Sequence, residues 1–320
     1  MNSNFKDYLL KVTQSSACAE IEIIQSLWSG YGKISRYQLE HSALDTVVVK
    51  FIALNQSNAH PRGWDSEFAH QRKVQSYKIE THWYKAWSRL CTNNCPVPQF
   101  IGSFSEGQDQ WIILEDLNLN FPLRKHELNL SEVKVCLQWL ANFHATFLGQ
   151  EPRGLWEIGT YWHLKTRPDE FEKMEHQGLK SKAGLIDELL NQCKYQTIVH
   201  GDAKLANFCF AEDGKTVAAV DFQYVGGGCG MKDIAYFLGS CLSGAESELY
   251  QDELLDFYFS GLEKSLKSAN IDFKELEQEW RKMYPIACTD FTRFLLGWMP
   301  SHQKINKYNL NMMNAVLSSL

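Results

Sequence analysis

The residues best suited to chemistry lie between positions 200 and 233. They read His200-Gly201-Asp202-Ala203-Lys204-Leu205-Ala206-Asn207, then Val220-Asp221-Phe222-Gln223, then Asp233. Two carboxylates and an amide at this spacing are what Mg-dependent phosphoryl transfer requires. Transfer of a metaphosphate-like group asks for positioning and for cations on the phosphate oxygens rather than for covalent work. Asp202 is placed to receive a substrate hydroxyl. The proton moves late, so an ionised carboxylate that orients the hydroxyl suffices. Asn207 and Asp221 offer the hard oxygen ligands that Mg²⁺ prefers. Gly201 lets the backbone bend tightly beside Asp202.

The H-G-D-x-x-x-x-N run at 200–207 resembles the catalytic loop of the aminoglycoside phosphotransferase and choline kinase superfamily. Val220-Asp221 matches that family's metal motif, and Asp233, in Met231-Lys232-Asp233-Ile234-Ala235, matches its D-[IL]-A. There the Asp braces the backbone of the catalytic loop, a supporting role that the resemblance also extends to His200. A protein kinase would carry Arg at position 201 and Gly at 223. About a dozen residues separate Asp221 from Asp233, too few for a phosphorylatable activation loop. The resemblance therefore implies a small-molecule kinase using ATP and Mg²⁺, with a hydroxyl as acceptor. A nucleotide-binding pseudokinase without turnover is the alternative. The set Lys50, Asp202, Asn207 and Asp221 speaks against it, because a pseudokinase usually lacks one of these.

These residues need elements to hold them. Ile21–Trp28 and Ile34–Glu40 are expected strands, joined by Ser29-Gly30-Tyr31-Gly32-Lys33. Gly30 and Gly32 make this turn a candidate phosphate cover, although such a turn is equally an ordinary hairpin. Thr46-Val47-Val48-Val49-Lys50-Phe51-Ile52 is a β-branched run that reads as a strand. A charge inside it needs a partner. Lys50 looks like the strand-three lysine that contacts the α- and β-phosphates. Glu80 on the following helix is its expected partner, with Glu67 the second choice. After Pro96-Val97-Pro98, Trp111–Glu115 is an expected buried strand. Leu114-Glu115-Asp116-Leu117 resembles the family's hinge, where backbone groups of Glu115 to Leu117 would bind adenine.

From residue 129 the pattern turns helical. Asn129-Leu130-Ser131-Glu132 is a capping-box arrangement. His144 falls on the apolar face of that helix as a packed residue rather than a base. Leu238–Leu242, Leu249–Leu266, Phe273–Met283 and a region from Thr289 to the end, broken at Pro300, are further expected helices. The fold implied is α+β and bilobal, protein-kinase-like. It has a small β-rich N-terminal nucleotide-binding lobe over 1–116 and a larger α-rich catalytic and substrate-binding lobe over 117–320.

The acceptor region is less readable. Tyr161-Trp162-His163-Leu164-Lys165-Thr166-Arg167-Pro168-Asp169-Glu170 mixes aromatics with charges, as binding surfaces do. Together with Gln223 and the stretch Phe291–Trp298, it resembles a bacterial branch of ecdysteroid kinase-like proteins. Trp162, His163, Gln223 and Trp298 are candidate substrate residues. The same stretches serve equally as packed cover, and Arg293 shares that ambiguity.

Composition sets the outer bounds. The 320 residues carry 44% hydrophobic and 22% charged side chains, ordinary for a globular chain. A net charge of −6 argues against nucleic acid as a partner. The nine cysteines form no C-x-x-C pair. With no leader-like segment and no apolar run of membrane length, they point to a reducing cytoplasmic setting without membrane insertion.

Overall fold

A computed structural model describes residues 2–27, 30–54, 67–267 and 270–320. The chain divides into two compact units, Met1–Leu90 with Val97–Asn120 and Cys91–Pro96 with Phe121–Leu320.

The first unit is built on one antiparallel sheet. Its strands are β1 (Ala17–Ser26), β2 (Gly32–Glu40), β3 (Thr46–Ala53), β4 (Phe100–Glu106) and β5 (Asp109–Glu115), in spatial order β1-β2-β3-β5-β4. Helix α1 (Ser3–Thr13) opens the unit, and α2 (Glu67–His82) follows β3. The sequence reading passed over α1. Its signal is modest but physical: Asn2 caps Phe5 N–H, and Phe5, Leu9 and Thr13 recur at helical spacing and are buried. Phe5 packs against Tyr37 and Trp111, so α1 closes the sheet's core. The expected strand at 21–28 begins earlier, at Ala17; Trp28 and Ser29 lie outside the described residues.

The second unit is mostly helical. Its long helices are α3 (Leu130–Phe147), α5 (Gln177–Gln192), α6 (Met231–Cys241), α7 (Gly244–Ser265), α8 (Phe273–Trp298) and α9 (Lys307–Ser319), with a short α4 (Pro168–Lys173). The Asn129–Glu132 capping box forms in both directions at the start of α3. Two small antiparallel ribbons complete the unit. In one, β6 (Thr197–Val199) pairs with β9 (Gly226–Gly228); in the other, β7 (Phe208–Phe210) pairs with β8 (Val217–Ala219).

Helices α6 and α7 begin earlier than expected, at Met231 and Gly244, and one expected division is absent. Phe273–Met283 and the stretch from Thr289 are a single helix, α8, which runs through Pro285. An interior proline costs about 3 kcal/mol. Burial of Leu276, Trp280, Tyr284, Phe291, Phe294 and Leu295 along the same helix outweighs it. The carbonyl of Pro285 accepts the Thr289 hydroxyl at 2.8 Å.

Candidate active site

The loop at 200–207 is shaped by its own short ribbons. Strand β6 delivers the chain to His200, and the β7–β8 hairpin follows Asn207. In that hairpin Phe208 faces Ala219, and the next rung is closed by Val220 N–H donating to Asn207 O at 3.0 Å. The hairpin thus returns Asp221 to the neighbourhood of Asn207 over a dozen residues of chain.

Asp233, at the start of α6, is wholly buried. One carboxylate oxygen accepts His200 N–H at 2.6 Å and the other accepts Gly201 N–H at 2.9 Å. His144 Nε2 lies 3.1 Å from the same carboxylate, and Tyr258 hydroxyl is 2.8 Å from His144 Nδ1. Helices α3, α6 and α7 are thereby tied to the backbone that precedes Asp202. His144 is a buried, hydrogen-bonded residue, as its helical position implied.

Gly201 has φ +79°, and a Cβ there would lie 2.0 Å from Tyr224 O and 2.8 Å from Thr160 N. Only glycine fits. The neighbours that crowd it belong to two strands of irregular chain. Thr160 N–H donates to Tyr224 O and Tyr161 N–H donates to Gly201 O. Trp156 Nε1–H donates to Gln223 O at 2.8 Å. The segment 156–161 is therefore a floor for the loop, a role its aromatic sequence did not announce.

His200 is fully buried and carries a legible tautomer. Nε2–H donates to Val220 O at 3.1 Å, while Nδ1 accepts Asp202 N–H at 3.3 Å. Burial pushes its pKa below the ordinary value, against the opposing charges of Asp233, Asp202 and Asp221. The ring is a neutral spacer that joins the loop to β8.

Asp202 is buried and its two oxygens are unlike. Oδ2 accepts Lys204 Nζ at 2.8 Å and Asn207 Nδ2 at 3.1 Å. Oδ1 is buried and accepts no hydrogen bond of ordinary geometry, although the Tyr236 hydroxyl stands close enough to Asp202 to act on it. Asn207 Nδ2 also donates to the Asp202 carbonyl at 2.8 Å. Its amide N–H groups are thus committed to Asp202, which turns the Asn207 carbonyl oxygen elsewhere. Burial alone would lower the Lys204 pKa, but Asp202 and Asp221 outweigh it and the pKa is raised. Lys204 was not singled out from sequence, although its place two residues after Asp202 was a signal available there.

Asp221 sits at φ +69°, a left-handed conformation rare for a non-glycine residue. Its Oδ1 accepts Gln223 Nε2 at 2.9 Å. Such strain collects at working sites. The donor types fit a hard cation: a carbonyl oxygen on Asn207 and a carboxylate on Asp221.

Around Asp202 stand two tyrosines and a second lysine. Tyr161 and Tyr236 are 5.4 Å apart, ring edge to ring face. Burial first, and then Asp202, push both phenol pKa values up, so both hydroxyls remain protonated. Lys304, in the connection between α8 and α9, places Nζ 5.0 Å from the Tyr236 ring centre and 5.6 Å from that of Phe291. Burial pushes its pKa down to about 8, while Cys241 and Asp202 resist. No sequence motif marked it.

The candidate acceptor residues fall differently from expectation. Trp162 is fully enclosed among Tyr236, Phe291, Phe294 and Leu295, so its side chain presents no surface to a ligand. His163 is buried with Nε2 3.1 Å from Asp187. Burial of Asp187 is outweighed by His163, and the Asp187 pKa is lowered. Arg167 donates to Tyr161 O and pairs with Glu170; Arg293 pairs with Asp290 and donates to Trp162 O. His163 ties this stretch to α5 and Arg293 ties it to α8, while Arg167 pairs within it. Gln223 touches Asp221, and Trp298 stacks on Phe294 at 5.7 Å.

In the first unit, Lys50 Nζ and Glu80 form a buried ion pair at 2.7 Å. Tyr77 lies beneath the ammonium, 5.6 Å from its ring centre. Glu67, the second choice, stands at the first turn of α2, about four turns of helix before Glu80. Gly30 and Gly32 lie at the β1–β2 turn with φ +74° and +139°. A Cβ at Gly32 would meet Phe51 O at 2.1 Å, so that glycine serves close packing on β3. Glu115 N–H is taken by Gln99 O at 2.9 Å. Leu117 is buried and opens a helical turn capped by Asp116, and its N–H makes no hydrogen bond among the described residues.

Comparison with known proteins agrees with this architecture. Residues 158–271, the span that carries the loop, Asp221 and Asp233, match the ecdysteroid kinase-like family. A Plasmodium vivax ethanolamine kinase aligns over 94% of this chain and 83% of its own, at 10% identity and a TM-score of 0.50. An aminoglycoside-3'-phosphotransferase of type VIII aligns over 88% of this chain and 100% of its own, at 13% identity and a TM-score of 0.48. No curated protein matches the chain. None of the helices among the described residues is long and apolar enough to cross a membrane. Residues 158–271 are thus similar to the ecdysteroid kinase-like family, and the likeness to the ethanolamine kinase shows a shared kinase-like α+β fold.

Proposed function

We propose that this chain is a Mg·ATP-dependent kinase that transfers the γ-phosphate to a hydroxyl of a small molecule. The observation that carries this reading is the asymmetry of Asp202. One oxygen is saturated by Lys204 and Asn207, and the other is buried and accepts no hydrogen bond of ordinary geometry. A buried oxygen left unsatisfied is costly unless a ligand group completes it. A substrate hydroxyl, entering beside that of Tyr236, is a donor that would do so.

The hydroxyl donates to Asp202 Oδ1, which fixes its oxygen for attack on the γ-phosphorus. As the new P–O bond forms, the bond to the β-phosphate oxygen breaks, ADP leaves, and the hydroxyl proton passes to Asp202. Lys204, kept cationic by the two carboxylates, pairs with Asp202 and faces the charge that develops. Asn207 Oδ1 and Asp221 would hold Mg²⁺, which when bound neutralises charge on the phosphate oxygens. In the first unit, Lys50, anchored by Glu80, presents an ammonium to the phosphates of ATP. The Gly30–Gly32 turn and the backbone at Glu115–Leu117 are the candidate contacts for phosphate and adenine.

A thermal-shift measurement tests the nucleotide side. Millimolar Mg·ATP should raise the melting temperature of the wild type, and Asp221→Ala should abolish most of the Mg-dependent part. A chain indifferent to Mg·ATP would not be this enzyme.

A further inference from the structure

Lys304 stands apart from the other enclosed cations of the second unit. Arg167 pairs with Glu170, Arg293 with Asp290 and Lys204 with Asp202. Lys232 is set against Asp290, Asp187 and Asn191. Lys304 Nζ has neither an ion pair nor a hydrogen bond to any described residue. It is half-buried over the rings of Tyr236 and Phe291. Holding an ammonium there without a directly bonded counter-charge costs free energy, and burial pushes its pKa down to about 8. Tyr161 donates its N–H to Gly201 O, next to Asp202, and its ring lies 5.4 Å from that of Tyr236, over which Lys304 Nζ stands at 5.0 Å, so Lys304 and Asp202 border the same aromatic pair.

The geometry also says what the site would reject. Two adjacent aromatic faces beside a catalytic carboxylate are the means to capture an ammonium. Here Lys304 occupies those faces with its own cation. An amine-bearing acceptor would displace nothing favourable and would meet Lys304 and Lys204 as like charges.

We propose that the acceptor carries, besides the hydroxyl that is phosphorylated, an anionic group, a carboxylate or a phosphate, that pairs with Lys304. This rests on the reading of Asp202 as the residue that receives the hydroxyl. Lys304 is a specificity residue here, and it takes no part in proton transfer.

The test uses one scaffold in four charge forms: 4-(hydroxymethyl)benzoate, 4-(hydroxymethyl)phenyl phosphate, benzyl alcohol and 4-(hydroxymethyl)benzylamine. Binding to the full chain is measured by calorimetry with Mg²⁺ and a non-hydrolysable ATP analogue, and turnover is measured with ATP. The acids should bind at least about tenfold more tightly than the alcohol and the amine. Lys304→Met should erase that preference and Lys304→Arg should retain it, with binding of the ATP analogue unchanged in both. The two acids against each other separate carboxylate from phosphate recognition. Preference for the amine, equal binding by wild type and Lys304→Met, or binding of none of the four would overturn the inference. Lys304-dependent binding of the acids with no turnover of any of them would instead overturn the kinase reading and leave this one standing.

Discussion

Asn207 donates from one side-chain nitrogen to both the backbone carbonyl and the carboxylate of Asp202, at 2.8 and 3.1 Å. The amide therefore fixes the direction of the carboxylate and leaves its own carbonyl oxygen pointing away from it. One residue orients the group that would receive the proton and offers a ligand to a cation. Replacing it should damage both roles. Asn207→Ala should lower kcat by about 10²–10⁴-fold. It should also raise the Mg²⁺ concentration needed for half-maximal rate. Asn207→Asp keeps an oxygen ligand but sets a carboxylate against Asp202. It should restore part of the metal dependence and little of the rate. Steady-state kinetics across a Mg²⁺ titration checks the split.

Asp233 is the keystone of the loop's backbone. Its two oxygens satisfy the N–H groups of His200 and Gly201, and it is fully buried beside His144. Asp233→Ala leaves two buried donors unsatisfied and removes the partner of His144. The expected loss is about 3–5 kcal/mol of stability. Urea denaturation of the variant, followed by tryptophan fluorescence, measures it directly.

Gly201→Ala should be nearly as damaging for a different reason. The added methyl has nowhere to go, because Tyr224 O and Thr160 N already occupy its position and the backbone is left-handed. A cost of about 3 kcal/mol or more is expected, along with loss of activity from the displaced loop. Gly214, also left-handed, has nothing within 4 Å of its Cβ position. Gly214→Ala should therefore pay only the backbone term of about 1–2 kcal/mol. Comparing the two melting temperatures separates crowding from strain.

His200 predicts a pH dependence of stability. Its folded pKa lies below the unfolded value because burial disfavours the charged ring. The unfolded state therefore binds the proton more readily. The stability it contributes is complete above about pH 6.5 and falls as pH drops below that, by at most about 1.4 kcal/mol per pH unit. His200→Gln keeps a donor for Val220 O and removes the titration. Its stability should be flatter between pH 6.5 and 5 than that of the wild type, in chemical denaturation at matched ionic strength.

The legible parts of this chain were those where chemistry restricts residue type. Lys50 announced itself as a charge inside a β-branched run, and Glu80 is the partner it needed. Gly201 was readable because a tight left-handed turn admits so few residues. The illegible parts were those where one composition serves two ends. Tyr161 through Glu170 read as a binding surface, yet Trp162 is core and Arg167 and His163 hold it in place. Charged groups that brace a loop and charged groups that meet a ligand have the same sequence signature. Helix α8 was read as two because Pro285 weakens local propensity, while the packing that overrides it is long-range. Lys304 left no trace in the sequence, since its meaning comes from two rings on α6 and α8.

The most direct test of the central claim is phosphate transfer by Asp202→Asn against the wild type. The readout is ADP release and phosphorylated product over a panel of hydroxyl compounds at saturating Mg·ATP. The amide keeps the size of the side chain and loses the ability to take the proton. The account predicts turnover lowered by about 10²–10⁴-fold with the ATP Kd nearly unchanged. Undiminished turnover by Asp202→Asn would contradict it.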